Sequence, residues 1–197
     1  MISYPDRIFT VLGLQIIFAA ALPTTAAAEA QAWQTIKPRS ITFVAVQAGA
    51  PFEGRFEQFE ALIQFSPDAL EESRFQVGID LASVETDYED RDEILRGAEF
   101  FDVKAERLAV YEAVSFADLG GNKFRADGQL SLNGRRLPVV LAFTFVPAEE
   151  QRNQYILRGH AEFNRLDFGI GLGDWADEKW ISHTVEVHFS LQLTRID

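Results

Sequence analysis

The strand-like pattern of this chain has one long interruption, the stretch Ser83–Asp102 with the sequence SVETDYEDRDEILRGAEFFD. This stretch predicts a short helix, because the side-chain oxygen of Thr86 or Asp87 can accept a hydrogen bond from the first turn. The acidic residues that follow suit the positive end of the helix dipole, and Gly97 predicts where the helix stops. The strand-like segments before and after this helix determine the fold class.

The predicted helix has one apolar edge, formed by Ile94 and Leu95, and the adjacent residues Phe100 and Phe101 follow it directly. A short charged helix with an apolar edge, tied down by two phenylalanines, is typical of a lid or plug over something hydrophobic. A crossover connection that only covers a core fits the same pattern. The pattern alone leaves both interpretations open.

Alternation of apolar and polar residues, which is the signal of half-buried strands, fills most of the remaining chain. It predicts eight strands, at about Ile41–Val46, Phe52–Phe65, Phe75–Leu81, Leu108–Phe116, Phe124–Leu132, Leu137–Phe145, Tyr155–Phe163 and Thr184–Leu193. Most are joined by short turns, and Asn133-Gly134 is the strongest hairpin signal. We therefore expect an all-β fold, a closed antiparallel barrel of eight strands with one short helix between strands 3 and 4.

The second predicted strand changes phase near Glu57 and Gln58. Phe52 and Phe56 share one parity before this point, whereas Phe59 has the other parity after it. A phase change inside one strand implies an extra residue, and therefore a β-bulge or a sharp bend. Bends of this kind help a sheet to curl and close.

The inside of an eight-stranded barrel is either filled by side chains or able to hold one slender ligand. The predicted inward residues are aliphatic or aromatic, so any ligand must be apolar over most of its length. Ala126, Gly128, Gly159 and Ala161 are small, which either leaves room for a ligand or accommodates the taper of the barrel. The predicted lumen residues are Phe75, Val77, Ile79, Val114, Phe116, Ala126, Gly128, Leu141, Phe143, Leu157, Ala161, Phe163, Val187 and Phe189.

The net charge of −12 and the absence of cysteine exclude several classes of function. A strongly acidic surface repels nucleic acid and argues against a polybasic grip on anionic lipids. Without cysteine the chain has neither disulfide support nor thiol redox chemistry. Its stability must come from the core, for which a hydrophobic fraction of 47% is ample.

Residues 1–28 have the order of a cleavable secretory signal peptide: Arg7, the apolar run Ile8–Leu22, and small residues ending at Ala26–Ala28. The run of about 15 residues is short of the ~20 that a helix needs to span a bilayer. No later segment is apolar enough to do so. We expect a periplasmic protein whose mature part, residues 29–197, is one domain.

The sequence contains no recognisable catalytic or metal-binding arrangement. His160 and His188 face outward by parity, and His183 and His188 point to opposite faces, so these histidines cannot share a metal. The acidic run from Asp87 lacks the glycine and the final glutamate of a calcium-binding loop. Gly169–Gly173 does not open a helix in a βαβ unit, as a dinucleotide site requires. We expect no catalytic residue, metal or cofactor, and so a protein that is not an enzyme.

Short motifs occur along nearly the whole mature chain, from about Trp33 to Thr194. They are Gly54–Phe56, Phe65–Pro67, Ile79–Thr86, Arg91–Leu95, Phe100–Val103, Asn133–Val139 and Asn164–Gly169. In order and spacing they resemble the YceI-like family of exported, lipocalin-like proteins, several of which bind polyisoprenoids. The resemblance implies a lipocalin-like barrel that holds a long apolar ligand.

Three departures from the family pattern put the ligand in doubt but not the fold. Lys37-Pro38-Arg39 stands where the family usually has Asp-Pro and a histidine. The proline that commonly follows the Phe-Phe-Asp-Val block is replaced around Leu108. The segment Gly171–Asp177 is similar to the variant in members that are associated with membrane b-type cytochromes.

The resemblance also implies a polar network that fixes the helix to the end of the barrel. A buried guanidinium in such a network needs carboxylate partners. An alternative is that Arg91 or Arg165 meets an anionic headgroup. The predicted residues of the lid and its network are Arg91, Asp92, Ile94, Leu95, Phe100, Phe101, Asp102, Asn164, Arg165 and Asp167.

The favoured function is a non-enzymatic carrier that holds a polyisoprenoid, an isoprenoid quinone or a similar lipid in the barrel lumen. An alternative is a periplasmic accessory protein of a membrane b-type cytochrome or quinone redox system, acting by protein contact through Trp175 and Trp180. Both fit a monomer or a homodimer that neither binds nucleic acid nor spans a membrane.

The first testable prediction concerns export. Protein recovered from its own host should begin near Glu29 or Gln31, because the small residues Ala26–Ala28 form the cleavage site. N-terminal sequencing measures this directly. An intact Met1 on a membrane-bound form would contradict it.

Overall fold

The first strand, β1 (Ala32–Gln47), opens the computed structural model, which describes residues 29–149, 151 and 153–196. The predicted signal peptide, residues 1–28, lies outside the described residues. At 16 residues, β1 is the longest strand of the described chain, and it extends well before the predicted start at Ile41. Its register shifts between Ile36 and Arg39, so β1 is irregular there.

Nine more strands and one α-helix follow β1. The strands are β2 (Ala50–Phe56), β3 (Phe59–Gln64), β4 (Arg74–Asp80), β5 (Val84–Glu85), β6 (Leu108–Gly120), β7 (Lys123–Leu132), β8 (Arg135–Pro147), β9 (Gln154–Asn164) and β10 (Thr184–Arg195). The helix α1 (Glu89–Arg96) lies between β5 and β6. Short 3₁₀ turns occur at Leu70–Glu72, Leu81–Ser83, Arg165–Phe168 and Gly173–Trp175.

The sheet closes because β1 pairs on both sides. One edge of β1 pairs with β10, and its other edge pairs with β2 and, through Ala32 and Trp33, with β3. The order around the barrel is β1-β10-β9-β8-β7-β6-β4-β3, with every pair antiparallel. Since β2 and β3 form one bent strand and β5 has only two residues, the predicted eight-stranded antiparallel barrel is confirmed. The break between β2 and β3 falls at Glu57 and Gln58.

Aromatic rings fill the barrel end where β4 and β7 begin. Phe65 is fully buried, and its ring centroid lies 5.0–5.9 Å from those of five other phenylalanines, Phe75, Phe116, Phe124, Phe143 and Phe145. Edge-to-face contacts of this kind contribute about 0.5–1.5 kcal/mol per pair beyond the area they bury. This aromatic plug closes the end opposite α1, since α1 follows the other end of β4.

In β6, the residues that point into the barrel differ from the predicted ones. Ala109, Tyr111 and Ala113 point inward, whereas Leu108 is 53% exposed and Val114 is 64% exposed. A bulge between Ala113 and Ser115 then shifts the register, which returns Phe116 to the interior. The prediction that Val114 lines the lumen is therefore wrong. The sequence alternation could not locate the extra residue.

An ion pair ties the end of β4 to the start of β6. The Asp80 carboxylate accepts hydrogen bonds of 2.7–3.1 Å from Arg107 and one of 3.0 Å from the Ala82 amide. The Arg107 guanidinium is the main reason that the pKa of the Asp80 carboxyl is lowered, although partial burial opposes it. The Asp80 side chain is only 14% exposed, so solvent screens this pair less than the other surface pairs.

This ion pair gives a prediction about acid stability. A lowered folded pKa means that the unfolded chain takes up the Asp80 proton first, so the stabilisation is lost as pH falls below about 4. Asp80→Asn should therefore lower the melting temperature at pH 7 and have a much smaller effect at pH 3. Thermal unfolding at both values measures this, with Asp127→Asn at the exposed pair with Arg125 as control. An equal loss at both pH values would contradict it.

Candidate functional site

The barrel encloses a lumen of about 160 Å³ between the aromatic plug and α1. Apart from Tyr111 and Arg165, every residue that lines it has an aliphatic or aromatic hydrocarbon side chain. Many come from strand positions that alternate with outward polar residues, which is why the sequence pattern predicted them. The predicted residues that line the lumen are Phe75, Val77, Ile79, Leu141, Leu157, Ala161, Phe163, Val187 and Phe189.

The other predicted lumen residues lie elsewhere. Phe116 and Phe143 belong to the aromatic plug, and Ala126 is completely buried outside the lumen wall. Gly128 lies against the Tyr111 side chain, whose hydroxyl would collide with an added Cβ. Val114, as described above, faces solvent.

Two of the small inward residues therefore do not create space for a ligand. Tyr111 occupies the position beside Gly128, and the Phe189 ring occupies the position beside Gly159. The Tyr111 hydroxyl lies 3.2 Å from the Val139 carbonyl, and burial raises its pKa above the ordinary value. These glycines accommodate large neighbours, and of the four small residues only Ala161 borders the lumen.

Sequence reasoning missed part of the lumen wall. Ile41, Phe43 and Ala45 of β1 line it, and their alternation was visible in the sequence. Ile170 and Ile181 also line it, but they lie in the long connection between β9 and β10. No period marks residues in such a connection, so no sequence signal identified them.

The helix α1 begins differently from the prediction. Its N-cap residue is Tyr88, and no side chain accepts a hydrogen bond from the first turn of the helix. Thr86 instead donates a 2.6 Å hydrogen bond to the Asp92 carboxylate and accepts a 2.9 Å bond from Arg91 Nε. Thr86 and Asp92 are both buried, so Thr86 links a buried carboxylate to a guanidinium. The predicted capping role of Thr86 or Asp87 is therefore wrong.

The two residues of the predicted apolar edge point in different directions. Leu95 is buried and lines the lumen, whereas Ile94 is 45% exposed. Consecutive helical residues point about 100° apart, and here that angle turns Leu95 to the lumen and Ile94 away from it. Phe100 and Phe101 are both buried and complete this end of the lumen wall. Asp102 follows with a positive φ of 41°, and its carbonyl accepts bonds from the next turn.

Arg165 is almost completely buried, and its partners are backbone carbonyls. Its guanidinium donates hydrogen bonds of 2.6–3.1 Å to the carbonyls of residues 170, 171, 175, 181 and 182. Burial lowers the pKa of Arg165. Among the described residues no carboxylate pairs with it, so the predicted carboxylate network around Arg165 is wrong.

The other residues of the predicted network have local roles. The Asn164 side chain accepts a 2.9 Å bond from the Leu166 amide and so caps the 3₁₀ turn after β9. Asp167 is exposed, and its backbone carbonyl accepts a bond from Arg135. Arg91 and Asp92 are joined through Thr86, and neither bonds to this turn.

A second space, which we call the vestibule, opens beside α1 and has a volume of about 240 Å³. Its lining residues are Gln47, Phe52, Tyr88, Asp90, Arg91, Ile94, Leu95, Phe100, Trp175 and Ile181. Phe52, Leu95, Phe100 and Ile181 also line the lumen, so the two spaces share a wall. Together they reach the lower part of the ~300–1,000 Å³ that is typical of small-molecule sites.

The two tryptophans of the connection between β9 and β10 differ in exposure. Trp175 packs on the Phe100 ring, and its indole N–H donates a 3.1 Å bond to Glu99. Trp180 is 49% exposed.

Two of the three histidines lie on the outside of the barrel, and the third, His183, is half-buried beside the Ala176 carbonyl. His160 and His188 form a cross-strand pair with ring centroids 6.2 Å apart, and both are exposed. Within the described ranges, no group of three or more histidine, cysteine or acidic residues is placed to hold a metal ion. No helix of the same ranges is long and apolar enough to cross a membrane.

Comparisons with known proteins agree with this geometry. A family model of the YceI-like domain matches residues 33–193. The chain is similar to a UPF0312 protein of Vibrio cholerae, with 28% identity over 135 residues that cover 66% of this chain and 71% of the relative. A UPF0312 protein of Shewanella denitrificans is 31% identical over the same length and the same shares.

Two solved structures share the fold. The crystal structure of BcnA from Burkholderia cenocepacia has a TM-score of 0.74 and 26% identity, covering 78% of this chain and 95% of BcnA. A polyisoprenoid binding domain from Saccharophagus degradans, described as implicated in plant cell wall breakdown, has a TM-score of 0.64. It is 16% identical, and the match covers 85% of this chain and all of that domain.

The contacts of Arg165 predict the effect of a conservative change. Arg165→Lys should lower the free energy of unfolding by about 3 kcal/mol, because lysine donates at most three bonds and each bond to a charged donor contributes about 1.5–3 kcal/mol. Urea unfolding measures the difference. Arg135→Lys is the control, since Arg135 also donates to carbonyls of this connection but is exposed. Equal losses in both variants would argue against the role of Arg165.

Proposed function

The chain belongs to the YceI-like family, and we propose that it is a non-enzymatic carrier that holds a long apolar amphiphile in the barrel lumen. The hydrocarbon lining of the lumen carries this proposal. The similarity in fold to a polyisoprenoid binding domain supports it. Within this class, a polyisoprenoid, an isoprenoid quinone or a similar lipid fits best, because the lumen is narrow and apolar.

Burial of the hydrocarbon tail supplies the affinity in this proposal. Each Å² of apolar surface removed from water contributes about 25 cal/mol, so a long tail needs no specific polar contact inside the barrel. The two polar groups of the lumen wall, Tyr111 and Arg165, are already bonded to backbone carbonyls. A carrier with such a lumen would select its ligand by tail shape and by what lies outside the lumen.

The ligand would enter at the end that carries α1. The opposite end is filled by the rings around Phe65, which pack at centroid distances of 5.0–5.9 Å. The vestibule beside α1 shares a wall with the lumen, so it is the natural path for a tail. A tail in the lumen would then leave the polar head in the vestibule.

We also propose that the protein acts in the periplasm. The order of Arg7, Ile8–Leu22 and Ala26–Ala28 supports export through a signal peptide. A carrier in that compartment would meet lipids at the membrane surface. Cell fractionation, with the N-terminal sequencing described above, tests the location.

One observation favours the alternative function, contact with a membrane redox protein. Trp180 is half-exposed in the connection between β9 and β10, and tryptophan is enriched at the centres of protein interfaces. Trp175, the other candidate, is engaged with Phe100 and Glu99 and offers less to a partner. Trp180→Ala should leave lipid binding intact if Trp180 serves such a contact only.

Native mass spectrometry of protein purified from its own host tests the carrier function most directly. A co-purifying lipid would identify the ligand class. Protein that carries no lipid, and that binds no long-chain isoprenoid when one is added, would contradict the proposal.

Two matched variants test whether the ligand lies in the lumen. Ala161→Phe should lower the amount of bound isoprenoid, because the new ring would fill part of the lumen, at a cost in stability of about 1–3 kcal/mol. Val114→Phe, at an exposed position of the same barrel, should leave the amount unchanged. Ligand stoichiometry in folded protein is the measurement. Equal loading of the two variants would place the ligand outside the lumen.

A further inference from the structure

Among the described residues that line the vestibule, Arg91 is the one cation, and its side chain is held in a fixed position. Arg91 Nε donates to the Thr86 hydroxyl and Arg91 Nη2 donates to the Thr86 carbonyl, both at 2.9 Å. The guanidinium carbon lies 4.4 Å from the centre of the Phe52 ring and 5.7 Å from that of Tyr88. Arg91 is thus held between two aromatic side chains at the boundary of lumen and vestibule.

Arg91 still has hydrogen-bonding capacity. A guanidinium carries five N–H groups, and the contacts with Thr86 use two of them. Within the described part of the chain, Arg91 Nη1 donates to no other residue. Because Arg91 lines the vestibule, this nitrogen can donate to an oxygen atom of a bound head group.

Arg91 has two acidic neighbours, although within the described residues no carboxylate forms an ion pair with it. Asp90 is the single acidic residue of the vestibule lining, and Tyr88 donates a 3.2 Å bond to its carboxylate. The buried Asp92 carboxylate is linked to Arg91 through the Thr86 hydroxyl. Sites that concentrate an anion have an excess of positive charge, and this one does not. A phosphate would add negative charge to a space whose described lining has one acidic residue for its one cation.

We propose that the vestibule binds an uncharged head group that carries a hydrogen-bond-accepting oxygen, and that it discriminates against a phosphate head. The head group would accept from Arg91 and lie against the rings of Phe52, Tyr88 and Trp175, which also border the space. This inference rests on the proposed binding of an apolar tail in the lumen. It adds a second criterion, so tail and head are recognised by separate parts of the molecule.

Three probes with the same tail separate the two criteria: geranylgeraniol, geranylgeranyl phosphate and the parent hydrocarbon. Quenching of tryptophan fluorescence or isothermal titration gives each dissociation constant. We expect the alcohol to bind about tenfold more tightly than the hydrocarbon, as one added hydrogen bond allows, and more tightly than the phosphate. A phosphate that binds as tightly as the alcohol would overturn the head-group proposal.

Variants of the vestibule assign the discrimination to its residues. Arg91→Gln should weaken binding of the alcohol about tenfold and leave the hydrocarbon unchanged. Because Arg91 also holds Thr86, Asp90→Asn is the second variant: it removes a negative charge at an exposed side chain and should raise the affinity for the phosphate relative to the alcohol. Arg136→Gln, at an exposed ion pair with Glu112, is the control and should change none of the three affinities.

The outcomes distinguish failure of the head-group proposal from failure of the carrier function. If all three probes bind equally, the lumen holds the tail and the vestibule does not select the head. If the hydrocarbon and the alcohol both fail to bind, both the carrier function and the head-group proposal are wrong. An unchanged preference between alcohol and phosphate in folded Asp90→Asn would overturn the charge argument.

Discussion

The open end of the barrel depends on one buried guanidinium. Arg165 follows β9 directly, and its five bonds reach carbonyls spread from residue 170 to residue 182. An irregular connection of this length has few backbone partners of its own, and buried carbonyls without partners are costly. Arg165 supplies the hydrogen-bond donors for these carbonyls and so holds the connection against the barrel. The positions of Ile170 and Ile181 in the lumen wall, and of Trp175 on Phe100, follow from this arrangement.

The arrangement explains why the charge of Arg165 can be buried without a carboxylate. Taking a guanidinium out of water is costly, and that cost is offset only when its donors are satisfied with good geometry. Five carbonyl dipoles at 2.6–3.1 Å meet that condition without a second ion. The pKa of Arg165 is lowered by burial, but an arginine pKa is high enough for the charge to persist at physiological pH.

The parts of the fold that alternate regularly could be predicted from the sequence, and the parts fixed by a single contact could not. The alternation in β4, β9 and β10 predicted the lumen-facing residues Val77, Leu157 and Val187. The prediction for Val114 failed because the bulge in β6 changes the inward parity between Tyr111 and Phe116, so one parity did not hold along the strand. The partners of Arg165 and the ring beside Gly128 are set by tertiary packing, which no spacing rule encodes.

The helix α1 is fixed to its neighbours by hydrogen bonds on several sides. Arg96 donates to the carbonyls of Ala82 and Val84, and the Phe101 amide donates to the Leu95 carbonyl. Leu95, Phe100 and Phe101 all line the lumen, so this segment is a part of the wall. The sequence pattern left a lid and a cover for the core as alternatives, and this segment does cover the lumen as part of its wall. In the proposed carrier, a tail would enter past side chains of the vestibule, such as Phe52 and Trp175, without the whole helix swinging away. In that proposal the wall formed by this segment would shield the tail from water, and the vestibule residues would contact the head group.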